Sequence, residues 1–171
     1  MTGAAAQAAQ VQVQELLDRK AIRELKARYF RSVDTKDWDA FRRVFTDDVH
    51  VQIMDREPID GADTFVAFVR EAIGERTAHH GHMPEIDFDS PTEARGVWSL
   101  ADYVEWTPDP ETGERRGRKG YGNYHETYRK VGGEWKIAGL RLVYRRIDPL
   151  YPEPLPEQIL GGPALLEEAT L

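Results

Sequence analysis

The sequence predicts an α+β fold. A long N-terminal helix and two shorter helices come first, and a curved, mixed but mainly antiparallel sheet then wraps around the long helix and encloses a pocket. Three observations carry this expectation. The dominant spacing of apolar residues changes from 3.6 to 2 at Arg76, so helices precede a strand meander. The strand-period half is cut by turn signals at Ser90-Pro91, between Pro108 and Gly117, and at Gly132-Gly133. A chain of 171 residues, 40% hydrophobic and 31% charged, suits one domain with a sizeable core.

Each element follows from its pattern. Residues 1–10 are small and polar without periodicity and are expected to form a flexible leader. From Val11, Leu17, Ala21 and Leu25 recur every four residues, and Ile22, Leu25, Tyr29 and Val33 continue the stripe, so the helix ends near Asp34. A second helix over 37–45 buries Trp38, Phe41, Val44 and Phe45, with Asp37 as N-cap. His50 to Met54 form a short strand. Gly61 to Ile73 form a third helix facing inward through Phe65, Phe68, Val69 and Ala72, with Gly74 as its stop. Strands follow at 76–89, 93–107, 118–131 and 134–147. The domain thus spans 11–147. A proline-rich tail, 148–171, wraps the surface or a partner subunit, with a last helical turn at 163–169.

Composition excludes several functions. A net charge of −7 is unsuited to nucleic acid, and the basic run Arg115–Lys119 lies among turn residues as a solvated hairpin loop. The absence of cysteine removes disulfides, thiolate metal sites and cysteine nucleophiles. No stretch approaches the ~20 apolar residues of a membrane span, and no secretory signal opens the chain, so a cytoplasmic setting is expected. With no Gly-rich phosphate loop and no G-x-S-x-G elbow, neither nucleotide binding nor serine-hydrolase chemistry is expected, and with no H-E-x-x-H spacing no metal is expected.

The residues that suggest chemistry lie on apolar faces. Even positions from Ala94 to Trp106 read Ala, Gly, Trp, Leu, Asp, Val, Trp, which puts Asp102 on a buried face. A carboxylate there needs a partner or a function; Arg141, sharing the parity of Ile137 and Val143, is the candidate partner. Tyr29 on the helix stripe needs a hydrogen-bond partner if buried, and Asp34 stands near the helix C-terminus, where the dipole opposes its charge. Three histidines share one strand, His79, His80 and His82. Parity from Ile86 and Phe88 turns His80 and His82 toward the pocket, but a bulge near Gly81 would reverse the phase. One strand offers at most two of them to one site, and a histidine acid or base is the more natural use.

The order of a long helix, D-W-D-A-F-R-R-V-F-T-D-D-V, T-A-H-H-G-H-M-P-E-I and E-T-Y-R-K-V-G-G-E-W-K-I resembles the SnoaL-like, nuclear-transport-factor-2-like superfamily over about residues 12–147. The resemblance implies a cone-shaped fold, which hosts many unrelated functions. Scytalone dehydratase and bile-acid 7α-dehydratase are the most similar enzyme types. Both use a helix tyrosine and a strand histidine, and the bile-acid enzyme adds a strand aspartate. Residue by residue, this implies Tyr29, His79 and Asp102 as catalytic, with Asp102 orienting His79. The resemblance also places a following acid at Asp34, and with it His80, His82, Trp98, Tyr124 and Arg141 are the candidate substrate-binding groups. Trp98 stands where scytalone dehydratase has a second histidine, which moves the resemblance toward the bile-acid type.

The expected function is a cofactor-independent dehydratase or isomerase, acting by acid–base chemistry on an apolar, hydroxylated ring compound such as a steroid or polyketide. Homodimerisation is expected from the exposed sheet face, with neither nucleic acid nor membrane as partner. The alternatives are a non-catalytic ligand-binding module and a structural small subunit of a ring-hydroxylating dioxygenase. An epoxide hydrolase would need an Asp-Arg-Asp relay, for which Asp102 and Arg141 supply two members.

Overall fold

The computed structural model describes residues 2–151, so the helical turn expected at 163–169 lies outside the described residues. In chain order the elements are α1 (Thr2–Asp34), α2 (Trp38–Arg43), β1 (Phe45–Ile53), β2 (Ile59–Asp60), α3 (Ala62–Ala72), β3 (Arg76–Ser90), β4 (Glu93–Glu105), β5 (Gly117–Val131) and β6 (Glu134–Pro149). The helices precede the meander as the change of period requires.

α1 is helical from Thr2, where a flexible leader was expected. The alanine and glutamine content of residues 4–10 accounts for this, because these residues favour helix without needing an apolar face. The first half of α1 stands clear of the body, with Val11, Val13, Leu16 and Leu17 exposed. Burial starts at Asp18, whose Oδ1 accepts hydrogen bonds from the Trp135 indole and the Lys130 ammonium, both at 2.8 Å. From there Ile22, Leu25, Lys26, Tyr29 and Val33 form the buried stripe.

The helix ends in a paired turn. The Lys36 amide donates to Val33 O at 3.3 Å and the Asp37 amide to Ser32 O at 2.9 Å, and Lys36 takes φ 59°. A lysine in this left-handed conformation costs about 1 kcal/mol. Asp37 then caps α2, its Oδ1 accepting from the Ala40 amide at 2.9 Å. α3 closes with Ile73 in extended conformation. Gly74 is therefore not a left-handed stop. It is glycine because a Cβ would lie 2.4 Å from Glu105 O.

One six-stranded sheet has the order β2-β1-β6-β5-β4-β3, antiparallel throughout except for the parallel β1–β6 pair. Its ladders carry irregularities that decide which side chains face the helices. β3 shifts register against β4 between His82 and Glu85, around Met83 (φ 44°) and Pro84, which has no N–H to donate. β6 shifts against β5 at Ala138, between the pairs Thr127↔Gly139 and Tyr128↔Ile137, and again at Arg145.

The core holds an edge-to-face cluster of Tyr29, Phe41, Phe45 and Phe65. Within it lies an ion pair with no counterpart in the apolar pattern. The Lys26 ammonium binds Glu126 Oε1, and both side chains are sealed from solvent. Glu126 Oε2 accepts from Tyr128 at 2.5 Å, and the Tyr128 oxygen accepts from Trp98 Nε1 at 2.8 Å. Removing one partner strands a buried charge, so Lys26→Met alone is expected to cost about 3–5 kcal/mol. The pair Lys26→Met/Glu126→Gln, which leaves an acceptor for Tyr128, is expected to cost much less. Urea unfolding of both variants checks the difference.

Candidate functional site

Between the sheet, the end of α1 and α3 lies a cavity of about 350 Å³. Val33, Phe68, Val69 and Leu142 make its apolar lining, and Tyr29, His79, Arg118, Tyr124 and Tyr144 bring polar groups to it. This size and mixture are typical of a small-molecule site. A larger hollow of about 780 Å³ lies across the opposite sheet face, lined among others by His50, His125 and Arg141.

His79 is the most constrained group of the wall. Its Nδ1 lies 2.6 Å from Asp34 Oδ1, and its backbone amide donates to Asp34 Oδ2 at 2.9 Å. Thr77 Oγ1 donates to Asp34 Oδ1 at 2.8 Å and accepts from the Lys36 ammonium at 2.9 Å. Burial works to raise the Asp34 pKa, but the hydrogen bonds from the His79 ring and amide, its charge and Thr77 outweigh it and hold the carboxyl below its ordinary value. An ionised Asp34 can only accept, so Nδ1 carries the proton and donates it in this hydrogen bond, which leaves Nε2 as the free base of the ring.

The register places His79 opposite Asp102, Asp102 opposite Gly120 and Gly120 opposite Ile147, one row across four strands. Asp102 therefore shares a face with His79, yet its bonds go elsewhere. Its Oδ1 meets Arg118 Nη1 at 3.3 Å and its Oδ2 accepts from the Tyr144 phenol. Arg118 Nη2 donates to the Tyr144 oxygen at 2.9 Å. This cluster fills the space over Gly120, where a Cβ would stand 2.4 Å from both Asp102 Oδ1 and Tyr144 Cε1. Burial first, and then the Asp102 charge, push the Tyr144 pKa well above its usual value. Burial does the same to Tyr29 and Tyr124, so all three are neutral donors at physiological pH.

Several sequence expectations are corrected by this geometry. Asp34, not Asp102, orients His79. Arg141 is exposed on the opposite face, because the bulge at Ala138 reverses the parity counted from Ile137. His80 and His82 are also exposed and point outward, their rings stacked 6.0 Å apart, because the bulge at Met83–Pro84 breaks the count from Ile86. Trp98 is buried against Tyr128 and lies outside the cavity wall. Of the remaining expected residues, Tyr29 and Tyr124 line the cavity, and Asp102 lies directly behind it.

Two members were missed. Arg118 was set aside with the basic run, although Tyr124, Gly122, Gly120 and Arg118 alternate onto one face of β5. Tyr144 gave no signal, because its facing depends on the bulges of β6. Arg118 bonds one carboxylate and one phenol, so the second acid of an Asp-Arg-Asp relay is not found at it. Among the described residues no group of three His, Asp or Glu side chains is placed to hold a metal ion.

A family model described as a SnoaL-like domain matches residues 14–141. A Gibberella zeae protein named as the cyclase FGR4 is 26% identical over 133 residues, 71% of this chain and 87% of that protein. The crystal structure of a Novosphingobium aromaticivorans protein named as a scytalone dehydratase superposes with a TM-score of 0.72 at 24% identity, covering 80% of this chain and 90% of that one. The hexachlorocyclohexane dehydrochlorinase LinA-type3 of Novosphingobium barchaimii superposes with a TM-score of 0.71 at 17% identity, covering 82% and 95%.

Because the Asp34 pKa is depressed in the fold, its contribution to stability is complete above the unfolded value, near 4. That contribution is lost as pH falls through the lower, folded value. Asp34→Asn removes this term. Urea midpoints taken between about pH 6 and pH 3 are expected to fall less steeply for the variant than for the parent protein.

Proposed function

The chain belongs to the SnoaL-like domain family, and from that premise we propose that it is a cofactor-independent lyase that eliminates water from a hydroxylated, ring-containing, largely apolar compound. The observation that supports this most is the His79–Asp34 dyad in the wall of an apolar cavity that also presents the Tyr29 phenol. The names of the similar proteins, a dehydratase, a dehydrochlorinase and a cyclase, agree with a reaction of this kind.

In the proposed reaction His79 Nε2 removes a proton from the carbon next to the one bearing the hydroxyl. The C–H electron pair becomes the new double bond, and the C–O bond breaks toward oxygen. Tyr29, which burial keeps protonated, donates a hydrogen bond to the departing oxygen. The proton held on His79 passes to that oxygen, and water leaves. Asp34 stabilises the transient imidazolium and fixes the ring. Arg118 and Tyr144, fixed from behind by Asp102, hold the polar part of the substrate next to the base.

The test is a panel of hydroxylated steroids and polyketide-type ring compounds, followed by mass spectrometry for loss of water. For a compound that turns over, His79→Gln and Asp34→Asn are each expected to lower kcat by about 10²–10⁴-fold with little change in KM. Tyr29→Phe is expected to cost less. Unchanged turnover in His79→Gln would remove the dyad from the mechanism. Tight binding without turnover across the panel would favour the non-catalytic module.

A further inference from the structure

The Lys26–Glu126 pair is left without a role by the reaction above, and stability does not supply one. Apolar residues of similar volume fill such a space at least as stably as a buried ion pair. What distinguishes the pair is its place. The Lys26 ammonium lies 3.5 Å from the ring centroid of Tyr124 and 4.0 Å from that of Tyr29. It is sealed behind them, its side chain 1% exposed. Both tyrosines also line the cavity. The counter-ion is turned away, since Glu126 spends one oxygen on the ammonium and the other on Tyr128, and neither Glu126 nor Tyr128 belongs to that wall.

We propose that Tyr29 and Tyr124 form an oxyanion-binding subsite of the cavity and that Lys26 is the positioning residue behind it, its charge strengthening both phenols as hydrogen-bond donors. A cation against the face of a phenol withdraws electron density from the ring, and in a dry environment this effect is not screened. Tyr124 lies within hydrogen-bonding reach of Tyr29, so the two hydroxyls act on one ligand atom or in series. Glu126 opposes the effect at both Tyr29 and Tyr124, where its charge raises the phenol pKa, but it is the ammonium that is seated over the two ring faces. The ligand class is then narrower than a hydroxylated ring. It is a compound in which an oxygen gains negative charge, such as an enolate or phenolate, and this narrowing rests on the lyase reading.

The probe is 4-nitrophenol, whose ionised form is read by its visible absorbance, with 4-nitrotoluene as a neutral isostere. The parent protein is expected to bind the phenolate in preference to the phenol and so lower the apparent pKa of the bound probe. In Lys26→Met/Glu126→Gln and in Tyr124→Phe that preference is expected to fall about tenfold, while affinity for 4-nitrotoluene changes less than about twofold. His79→Gln is expected to retain the preference, which separates this inference from the lyase reading. The inference is overturned if the double variant ionises the bound probe as the parent does. Equal loss of affinity for both probes overturns it too, as does a failure of 4-nitrophenol to bind the parent protein.

Discussion

One carboxylate joins the helical half of this protein to its sheet. Asp34 ends α1 and accepts from the Thr77 hydroxyl, the His79 amide and the His79 ring, all on the first turns of β3. The helix dipole works against a negative charge at that position, so three donors from the sheet are what make it tenable. The ring orientation of His79 is set through this contact, while Asp18 and Lys26 hold the earlier turns of α1 to the same sheet. The left-handed Lys36 belongs to the same arrangement, because that turn carries its ammonium to Thr77.

The space around this clamp is kept by residues that contribute no side chain. At Gly81 a Cβ would stand 2.7 Å from the Phe30 ring, so its absence lets the helix lie close to β3. At Gly120 the missing side chain lets Asp102, Arg118 and Tyr144 meet across three strands. The cavity thus remains between a tightly packed aromatic core on one side and a charged but fully paired cluster on the other. Its polar groups are buried, and burial makes each hydrogen bond count for more than it would in water.

The order and kind of the elements were legible because the apolar periodicities are clean and the turns are chemically explicit, as with Asp37 and Gly132-Gly133. Site residues were legible where facing follows from local spacing: Tyr29 on the helix stripe and Asp102 on the even face of β4. They were lost where a bulge intervenes. Counting from Ile86 crosses Met83–Pro84 and picks His80 and His82, and counting from Ile137 crosses Ala138 and picks Arg141. Resemblance selected His79 because an alignment follows the bulge while a count does not. Lys26 was invisible for a different reason. Its partner lies 100 residues away on β5, and a lysine within a charged helix reads as solvated until the sheet is placed against it.

The parallel pairing of β1 with β6 has a consequence for how the protein is made. Val51, early in the chain, is joined to Leu140, near the end of the described fold. While the chain emerges from the ribosome, β3, β4 and β5 can form their hairpins, but β1 has only the two-residue β2 beside it until β6 arrives. Closure of so long a loop is slow, and the exposed edge of β1 is open to wrong pairings in the interval. Asp47 and Asp48 on that strand are exposed charges that discourage such pairing. The cavity, which takes Leu140, Leu142 and Tyr144 from β6, is thus the last part of the described fold to form, and a nascent chain lacks this site until the sheet is complete.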